Sequence, residues 1–83
     1  MSDNPGFGFA PFKRAPAYQV VSDKIREAIL DGRIPAGKLL PTETALAAQF
    51  GVTRSTVREA IRLLEQSGLL GRAGRKRLEV RLP

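Results

Sequence analysis

The sequence predicts a mainly α-helical fold that ends in a small β-hairpin. Three stretches repeat apolar side chains at intervals of three and four residues, the spacing of one helix face. These stretches begin near Tyr18, Glu43 and Arg54. Towards the end of the chain, Leu78, Val80 and Leu82 alternate with charged residues, the period of a half-buried strand. Three helices followed by a β-hairpin form a winged helix-turn-helix, which is the fold that we expect.

The N-terminal part of the chain divides into a tail and a first helix. Proline and glycine interrupt residues 1–16, so we expect a flexible tail there and a folded domain over residues 17–83. The apolar face of the first helix comprises Val21, Ile25, Ala28 and Ile29. Gly32 suits the position just after its end. Pro35 and Gly37 suit positions i+1 and i+3 of a type I turn, and Leu39 and Leu40 suit a short strand.

The second and third helices are predicted to form the helix-turn-helix. Thr42 suits the N-cap of the second helix, and Gly51 interrupts the helical pattern after Phe50. Thr53 then suits the N-cap of the third helix, so the two helices are joined by a tight turn that contains glycine. The inner residues of the two helices are Leu46, Ala47 and Phe50, then Val57, Ala60, Ile61 and Leu64.

Composition excludes several kinds of chemistry. The 83 residues suffice for one small domain, and they include no cysteine and no histidine. Disulfides, thiolate or zinc sites and a histidine-dependent triad are therefore excluded, and the carboxylates are too dispersed for acid–base catalysis. We therefore expect a protein that is not an enzyme and that binds neither a metal nor a cofactor. No apolar run approaches 18 residues and no secretory signal is evident, so we expect a cytoplasmic protein with no membrane partner.

Positive charge is concentrated in the C-terminal part of the chain. The net charge is +6, and residues from Arg54 onward contribute +5, from eight cations and three acids. This balance favours a polyanionic partner, although a solvated basic surface explains the charge alone equally well.

The start of the third helix is the first candidate for DNA recognition. Arg54 and Arg58 lie one turn apart, although cations at a helix N-terminus oppose the helix dipole. Arginine is suited to guanine, and the short hydroxyls of Ser55 and Thr56 are suited to phosphate. The alternative interpretation is that these side chains are ordinary solvated residues behind the Thr53 cap. The predicted contacts on this helix are Thr53, Arg54, Ser55, Thr56, Arg58 and Arg62.

The turn of the hairpin, or wing, is the second candidate. It contains four cations and no acid: Arg72, Arg75, Lys76 and Arg77. A basic wing suits the DNA backbone or the minor groove, and the predicted contacts there are Gly74, Arg75 and Lys76. Charges on an edge strand also prevent strand pairing between molecules, so the two explanations are compatible.

The stretch LPTETALAAQFGVTRSTVREAIRLLEQSGLL resembles the DNA-binding domain of the GntR family of bacterial transcription regulators. The resemblance covers about residues 18–82 and implies that Arg54 and Arg58 contact DNA, with the wing at the minor groove. VREAIRLLE is more similar to the fatty-acid-responsive branch than to other branches. Thr44 stands where the family usually has a DNA-contacting arginine, and Ala45 stands where it often has glutamate. The wing also lacks the usual Gly-Thr-Phe-Val ending.

The resemblance also implies a partner and an assembly. Double-stranded DNA is the expected partner, with a third helix in the major groove and a pseudo-palindromic operator bound by a homodimer. Members of the family usually continue into an effector-binding and dimerising domain, so we expect dimerisation to require residues beyond Pro83. A winged-helix module that binds protein or RNA is the alternative. The operator, the regulated genes, the effector and the sign of regulation are not determined by the sequence.

Overall fold

The computed structural model describes residues 15–74 and 77–82. It contains three α-helices followed by two strands: α1 (Ala17–Leu30), α2 (Glu43–Phe50), α3 (Arg54–Gln66), β1 (Leu70–Arg72) and β2 (Leu78–Val80). The winged helix-turn-helix prediction is therefore confirmed. Most of the predicted tail, residues 1–14, lies outside the described residues, so its flexibility and the domain boundary stay predictions.

Helix α1 buries Val21, Ile25 and Ile29 against the rest of the domain, as their spacing predicts. Ala28, which was expected on the same face, is only half-buried. The helix ends at the predicted place, because Asp31 is the C-cap and Gly32 follows it with a φ of +87°. Glycine occupies this left-handed conformation without the steric cost of a side chain.

The turn after α1 differs from the prediction. The Lys38 amide donates a hydrogen bond of 3.1 Å to the Pro35 carbonyl, so Pro35 is the first residue of the turn and not the second. Gly37 is then the third residue, and its φ of +88° is the conformation that a type II turn requires there. The type I assignment was wrong because it rested on the usual position of proline. The positive φ of the glycine determines the turn instead.

The helix-turn-helix forms as predicted. The Thr42 hydroxyl accepts a hydrogen bond from the Ala45 amide, and the Thr53 hydroxyl accepts one from the Thr56 amide, both at 3.2 Å. Gly51 is the C-cap of α2 with a φ of +71°. Two capping threonines and one left-handed glycine thus define the junction between α2 and α3.

Strand β2 lies between β1 and the segment before α2. On one side it pairs antiparallel with β1, with Leu70 opposite Val80. On the other side, the Leu40 amide donates to the Leu78 carbonyl at 2.8 Å and the Val80 amide donates to the Lys38 carbonyl at 2.9 Å. The predicted short strand at Leu39 and Leu40 is thus reduced to a single bridge at Leu39. These bonds attach the wing to the segment that leads into α2.

The end of the hairpin departs from the predicted alternation. Leu78 is half-buried and Val80 is buried, but Leu82 lies beyond β2 with 52% of its surface exposed. Leu69 precedes β1 and is buried in the core. The alternating pattern therefore continues one step further in the sequence than the pairing does in space.

The core lies mainly between α1 and α3, and it extends to α2 and the hairpin. Its members are Val21, Ile25, Ile29, Leu40, Leu46, Ala47, Val57, Ala60, Ile61, Leu64, Leu69, Leu70 and Val80. Phe50, expected among the inner residues of α2, packs against this core while remaining partly exposed.

Ser22 is the buried polar residue of this region, and its hydroxyl has no hydrogen-bond partner among the described residues. Within the described ranges, no helix is long and apolar enough to cross a membrane.

Candidate nucleic-acid interface

Helix α3 has one buried face and one face open to solvent. Val57, Ile61 and Leu64 point into the core, which directs Arg54, Ser55, Arg58 and Arg62 outwards. The fold therefore brings the predicted helix residues to one accessible side of the domain. Because α3 is held by its apolar face, the backbone positions from which these side chains project are fixed relative to the core.

Two of the predicted contact residues make hydrogen bonds to each other in the first turn of α3. The Thr53 hydroxyl accepts the Thr56 amide, and it also donates to the Thr56 hydroxyl at 3.1 Å. Ser55 and Arg54 point to solvent, and Arg54 pairs with no carboxylate of the part of the chain that the structure describes. Thr53 and Thr56 are therefore capping residues, whereas Arg54 and Ser55 remain available to a ligand.

Arg58 is paired with a glutamate of the neighbouring helix. Its Nε lies 3.2 Å from Oε2 of Glu43, and its Nη2 lies 3.0 Å from Oε1. The hydrogen bond from Arg58 holds the pKa of the Glu43 carboxyl below its ordinary value, and Glu43 raises the pKa of the Arg58 guanidinium. Sequence reasoning missed this pair, because the two residues are 15 positions apart and Glu43 already suited the first turn of α2.

A groove with a volume of about 630 Å³ lies between the start of α2, the exposed side of α3 and the base of the hairpin. We call it the arginine groove, after the four arginines that line it: Arg54, Arg58, Arg62 and Arg72. Glu43 and Glu65 also line it, as does Thr44, where the family usually has an arginine. Four guanidinium groups against two carboxylates make this groove suitable for a polyanion.

Two of the groove arginines make loose ion pairs. Nη1 of Arg62 lies 3.6 Å from Glu59, and Nε of Arg72 lies 3.5 Å from Glu65. More than half of each arginine side chain is exposed, at 59% and 63%, so solvent screens these pairs and a phosphate replaces the carboxylate at little cost. Arg72 belongs to β1 and was not among the predicted contacts. Only the packing of the hairpin against α3 brings it here.

The described residues of the wing direct their cations to different places. Gly74 is exposed with a φ of +96°, while Arg75 and Lys76 lie outside the described residues. Nη2 of Arg77 donates a hydrogen bond of 2.9 Å to the Leu40 carbonyl, so this cation is turned back towards the domain. Of the four cations assigned to the wing, Arg72 faces the arginine groove and Arg77 is structural.

No group of three or more metal-ligating side chains occurs within residues 15–74 and 77–82. Besides the carboxylates of Glu43 and Glu65, the site presents three kinds of hydrogen-bond donor: guanidinium groups, hydroxyls and the amides that begin α3. All of these donate hydrogen bonds, and phosphate oxygens and base edges accept them.

Comparison with known proteins identifies the family. The sequence pattern described as "Bacterial regulatory proteins, gntR family" matches residues 17–80. The chain belongs to this family. The GntR resemblance predicted from the α2–α3 region is thereby confirmed, while the resemblance to the fatty-acid-responsive branch stays a prediction.

Curated relatives of this GntR-family chain are transcription regulators. The chain is 47% identical over 55 residues to the mannosyl-D-glycerate transport/metabolism system repressor MngR of Escherichia coli (strain K12). It is 43% identical over 58 residues to the HTH-type transcriptional regulator YdhC of Bacillus subtilis (strain 168). These matches cover 66% and 70% of the chain but only 23% and 25% of the relatives. The chain thus corresponds to about a quarter of each protein.

Solved structures of the family share the fold. The DNA-binding domain of AraR, solved in complex with operator ORR3, is 34% identical with a TM-score of 0.78, and the match covers 88% of each chain. YtrA from Sulfolobus acidocaldarius, a GntR-family transcription factor, is 30% identical with a TM-score of 0.79, over 86% of this chain and 74% of YtrA. The three helices and the two-stranded sheet of this chain thus match DNA-binding domains of the GntR family.

Proposed function

We propose that this domain binds double-stranded operator DNA in a sequence-specific manner, as the DNA-binding part of a bacterial GntR-type transcription regulator. The observation that carries the proposal is the arginine groove, where four guanidinium groups line one accessible side of a capped helix. Its support from relatives is the similarity to the AraR domain, which was solved with operators ORR3 and ORX1.

In this proposal, α3 enters the major groove with its N-terminal half leading. Arg54 and Arg58 approach guanine edges, and Ser55 donates to a phosphate near the amides of the first turn. Arg62 and Arg72 lie along the phosphate backbone and replace their partner carboxylates with phosphate oxygens. Thr53 and Thr56 contribute through the cap that fixes the first turn.

The wing is proposed to approach the adjacent minor groove. Gly74, Arg75 and Lys76 are the contacts there, because a narrow minor groove concentrates negative potential and attracts cations. Arg77 stays on the protein side of the hairpin, since its guanidinium bonds the Leu40 carbonyl. The bonds between β2 and the segment before α2 hold the wing at a fixed distance from α3.

The intact regulator is proposed to act as a homodimer on a pseudo-palindromic operator. Two copies related by a two-fold axis recognise two half-sites, so the symmetry of the protein is matched in the DNA. Dimerisation then depends on a region outside the quarter of the relatives that this chain matches. We favour repression, as in the relative MngR, and a place in the bacterial cytoplasm beside the chromosome.

A selection of bound sequences from a random pool of duplex DNA tests the proposal. We expect enrichment of one short half-site, and retention of the bound duplex in the presence of a tenfold excess of duplex RNA. A pool that stays random would contradict sequence-specific recognition. Preferential displacement by RNA, or binding that is insensitive to salt, would favour the RNA-binding or protein-binding alternatives instead.

A further inference from the structure

Glu43 and Arg58 form an ion pair with two hydrogen bonds, which we call the clamp. Glu43 is the first residue of α2 and Arg58 lies in the second turn of α3, so the pair joins the two helices of the helix-turn-helix. Both carboxylate oxygens are used, at 3.2 Å from Nε and 3.0 Å from Nη2. A two-point contact between planar groups fixes the plane of the guanidinium as well as its position.

The clamp occupies only one edge of the guanidinium. Arginine has five N–H donors, and Glu43 takes the edge formed by Nε and Nη2. The end formed by Nη1 and the second hydrogen of Nη2 remains available. This end presents two parallel N–H groups, which is the arrangement that matches O6 and N7 of guanine.

The pair is too exposed to be explained by stability alone. The side chains of Arg58 and Glu43 are 51% and 33% exposed, and ion pairs of this kind contribute little to folding. A carboxylate in the arginine groove also repels phosphates, so it weakens sequence-independent attraction to DNA. Such a residue is disadvantageous for affinity, but it is advantageous for specificity if it orients a base-reading side chain.

We propose that Glu43 is a positioning residue that orients Arg58 for base recognition and thereby raises the preference of the domain for its cognate site. The inference rests on the proposed function, because it requires Arg58 to meet a base. Glu43 itself does not contact DNA in this arrangement. It restricts the long arginine side chain to one orientation before binding, so less rotamer freedom is lost on forming the base contact.

The test compares two glutamates of the same groove. Glu43→Gln removes the carboxylate from Arg58, whereas Glu65→Gln removes the same charge from beside Arg72 and leaves the clamp intact. Dissociation constants are measured by fluorescence anisotropy for the selected site and for a scrambled duplex. We expect both variants to bind the scrambled duplex more tightly. Only Glu43→Gln should lower the ratio of scrambled to cognate dissociation constants, by about tenfold.

A double-mutant cycle shows whether Glu43 acts through Arg58. Arg58→Ala should lower the same ratio, and adding Glu43→Gln to Arg58→Ala should lower it no further. A ratio for Glu43→Gln equal to that of Glu65→Gln, with a reduced ratio in Arg58→Ala, would overturn the positioning role and leave the proposed function intact. An unchanged ratio in Arg58→Ala would instead reject base recognition by Arg58.

A second variant keeps the test interpretable if Glu43→Gln affects folding. Glu43→Asp keeps the charge at the start of α2 but withdraws the carboxylate by one methylene group, too far for the two-point contact. We expect it to lower the ratio while thermal unfolding stays close to that of the parent chain. A parental ratio in a folded Glu43→Asp variant would count against the clamp.

Discussion

The Arg77 guanidinium donates a hydrogen bond of 2.9 Å to the Leu40 carbonyl, 37 residues earlier in the chain. This bond connects the C-terminal strand of the wing to the residue just before Pro41 and α2. Together with the backbone bonds of β2, it ties the position of the wing to the helix-turn-helix. The distance between two predicted DNA contacts, the wing and α3, thus depends on a side chain that bonds to the protein itself.

Replacing Arg77 with alanine should therefore loosen the wing. The lost hydrogen bond leaves the Leu40 carbonyl without its partner, and we expect the free energy of unfolding to fall by about 1 kcal/mol. Hydrogen exchange at the Leu40 and Val80 amides should accelerate, because both amides bond across the same junction. Arg26→Ala, which breaks an ion pair with Asp23 within α1, is the control. Unchanged exchange at both amides would contradict an anchoring role for Arg77.

Ser22→Ala should stabilise the domain. The Ser22 hydroxyl is fully buried without a hydrogen-bond partner in the described part of the chain, and alanine is the better helix former. We expect the free energy of unfolding in urea to rise by about 1 kcal/mol. Ser67→Ala is the matched control, because the Ser67 hydroxyl donates to the Leu64 carbonyl at 3.0 Å and its loss should not stabilise. Destabilisation by Ser22→Ala would indicate that the hydroxyl has a partner.

Arg54→Ala should weaken binding to the selected site without affecting the fold. Arg54 is exposed in the first turn of α3 and has no carboxylate partner among the described residues, so its removal breaks no ion pair there. We expect the dissociation constant to rise by about tenfold or more, with an unchanged circular dichroism spectrum. Arg26→Ala again serves as the charge control. Parental affinity in Arg54→Ala would refute the placement of the α3 N-terminus at DNA.

The stability of the domain should depend on pH through Glu43. The pKa of its carboxyl is lower in the folded chain than its ordinary value of 4.5, chiefly because Arg58 donates to it. The charged carboxylate therefore stabilises the folded state at pH values above about 4.5, by a small amount because the pair is exposed, and this stabilisation is lost as the pH falls through the folded pKa. Urea unfolding between pH 7 and 3 should thus show a smaller pH dependence for Glu43→Gln than for the parent chain.

Arg58→Ala provides the complementary check on this pH dependence. It removes the cation that lowers the pKa of Glu43, so the pH dependence should shrink by a similar amount. Parallel curves for the parent chain and both variants would show that the pair does not contribute to stability.

The features that sequence reasoning predicted correctly depend on neighbours within a few positions. Thr42 and Thr53 cap the helices that begin beside them, and Gly32 and Gly51 follow helix ends with the positive φ that favours glycine. The outward placement of Arg54 and Ser55 follows in the same way, because the period of α3 alone decides which residues share a face. Such preferences act over one or two helical turns, so the local sequence contains them.

The turn at Pro35 and the end of the hairpin were predicted wrongly because both depend on contacts with distant parts of the chain. The local pattern suits a type I turn, but the segment must also bring Leu40 to the Leu78 carbonyl, and Gly37 adopts the conformation that allows this. Likewise, Leu82 continues an alternating pattern that has no further strand pairing within residues 15–74 and 77–82. Both outcomes depend on which backbone groups meet across the fold.

The sequence by itself determined the three helices, their caps and the exposed basic side of α3. Tertiary structure alone decided what the charged side chains contact: Glu43 clamps Arg58, Arg72 joins the arginine groove and Arg77 turns back to Leu40. The physical reason is that helix formation and capping are short-range, whereas an ion pair requires two helices to be packed at a set distance and angle. That packing comes from the buried face of each element, and the charged side chains take the partners that it brings within reach.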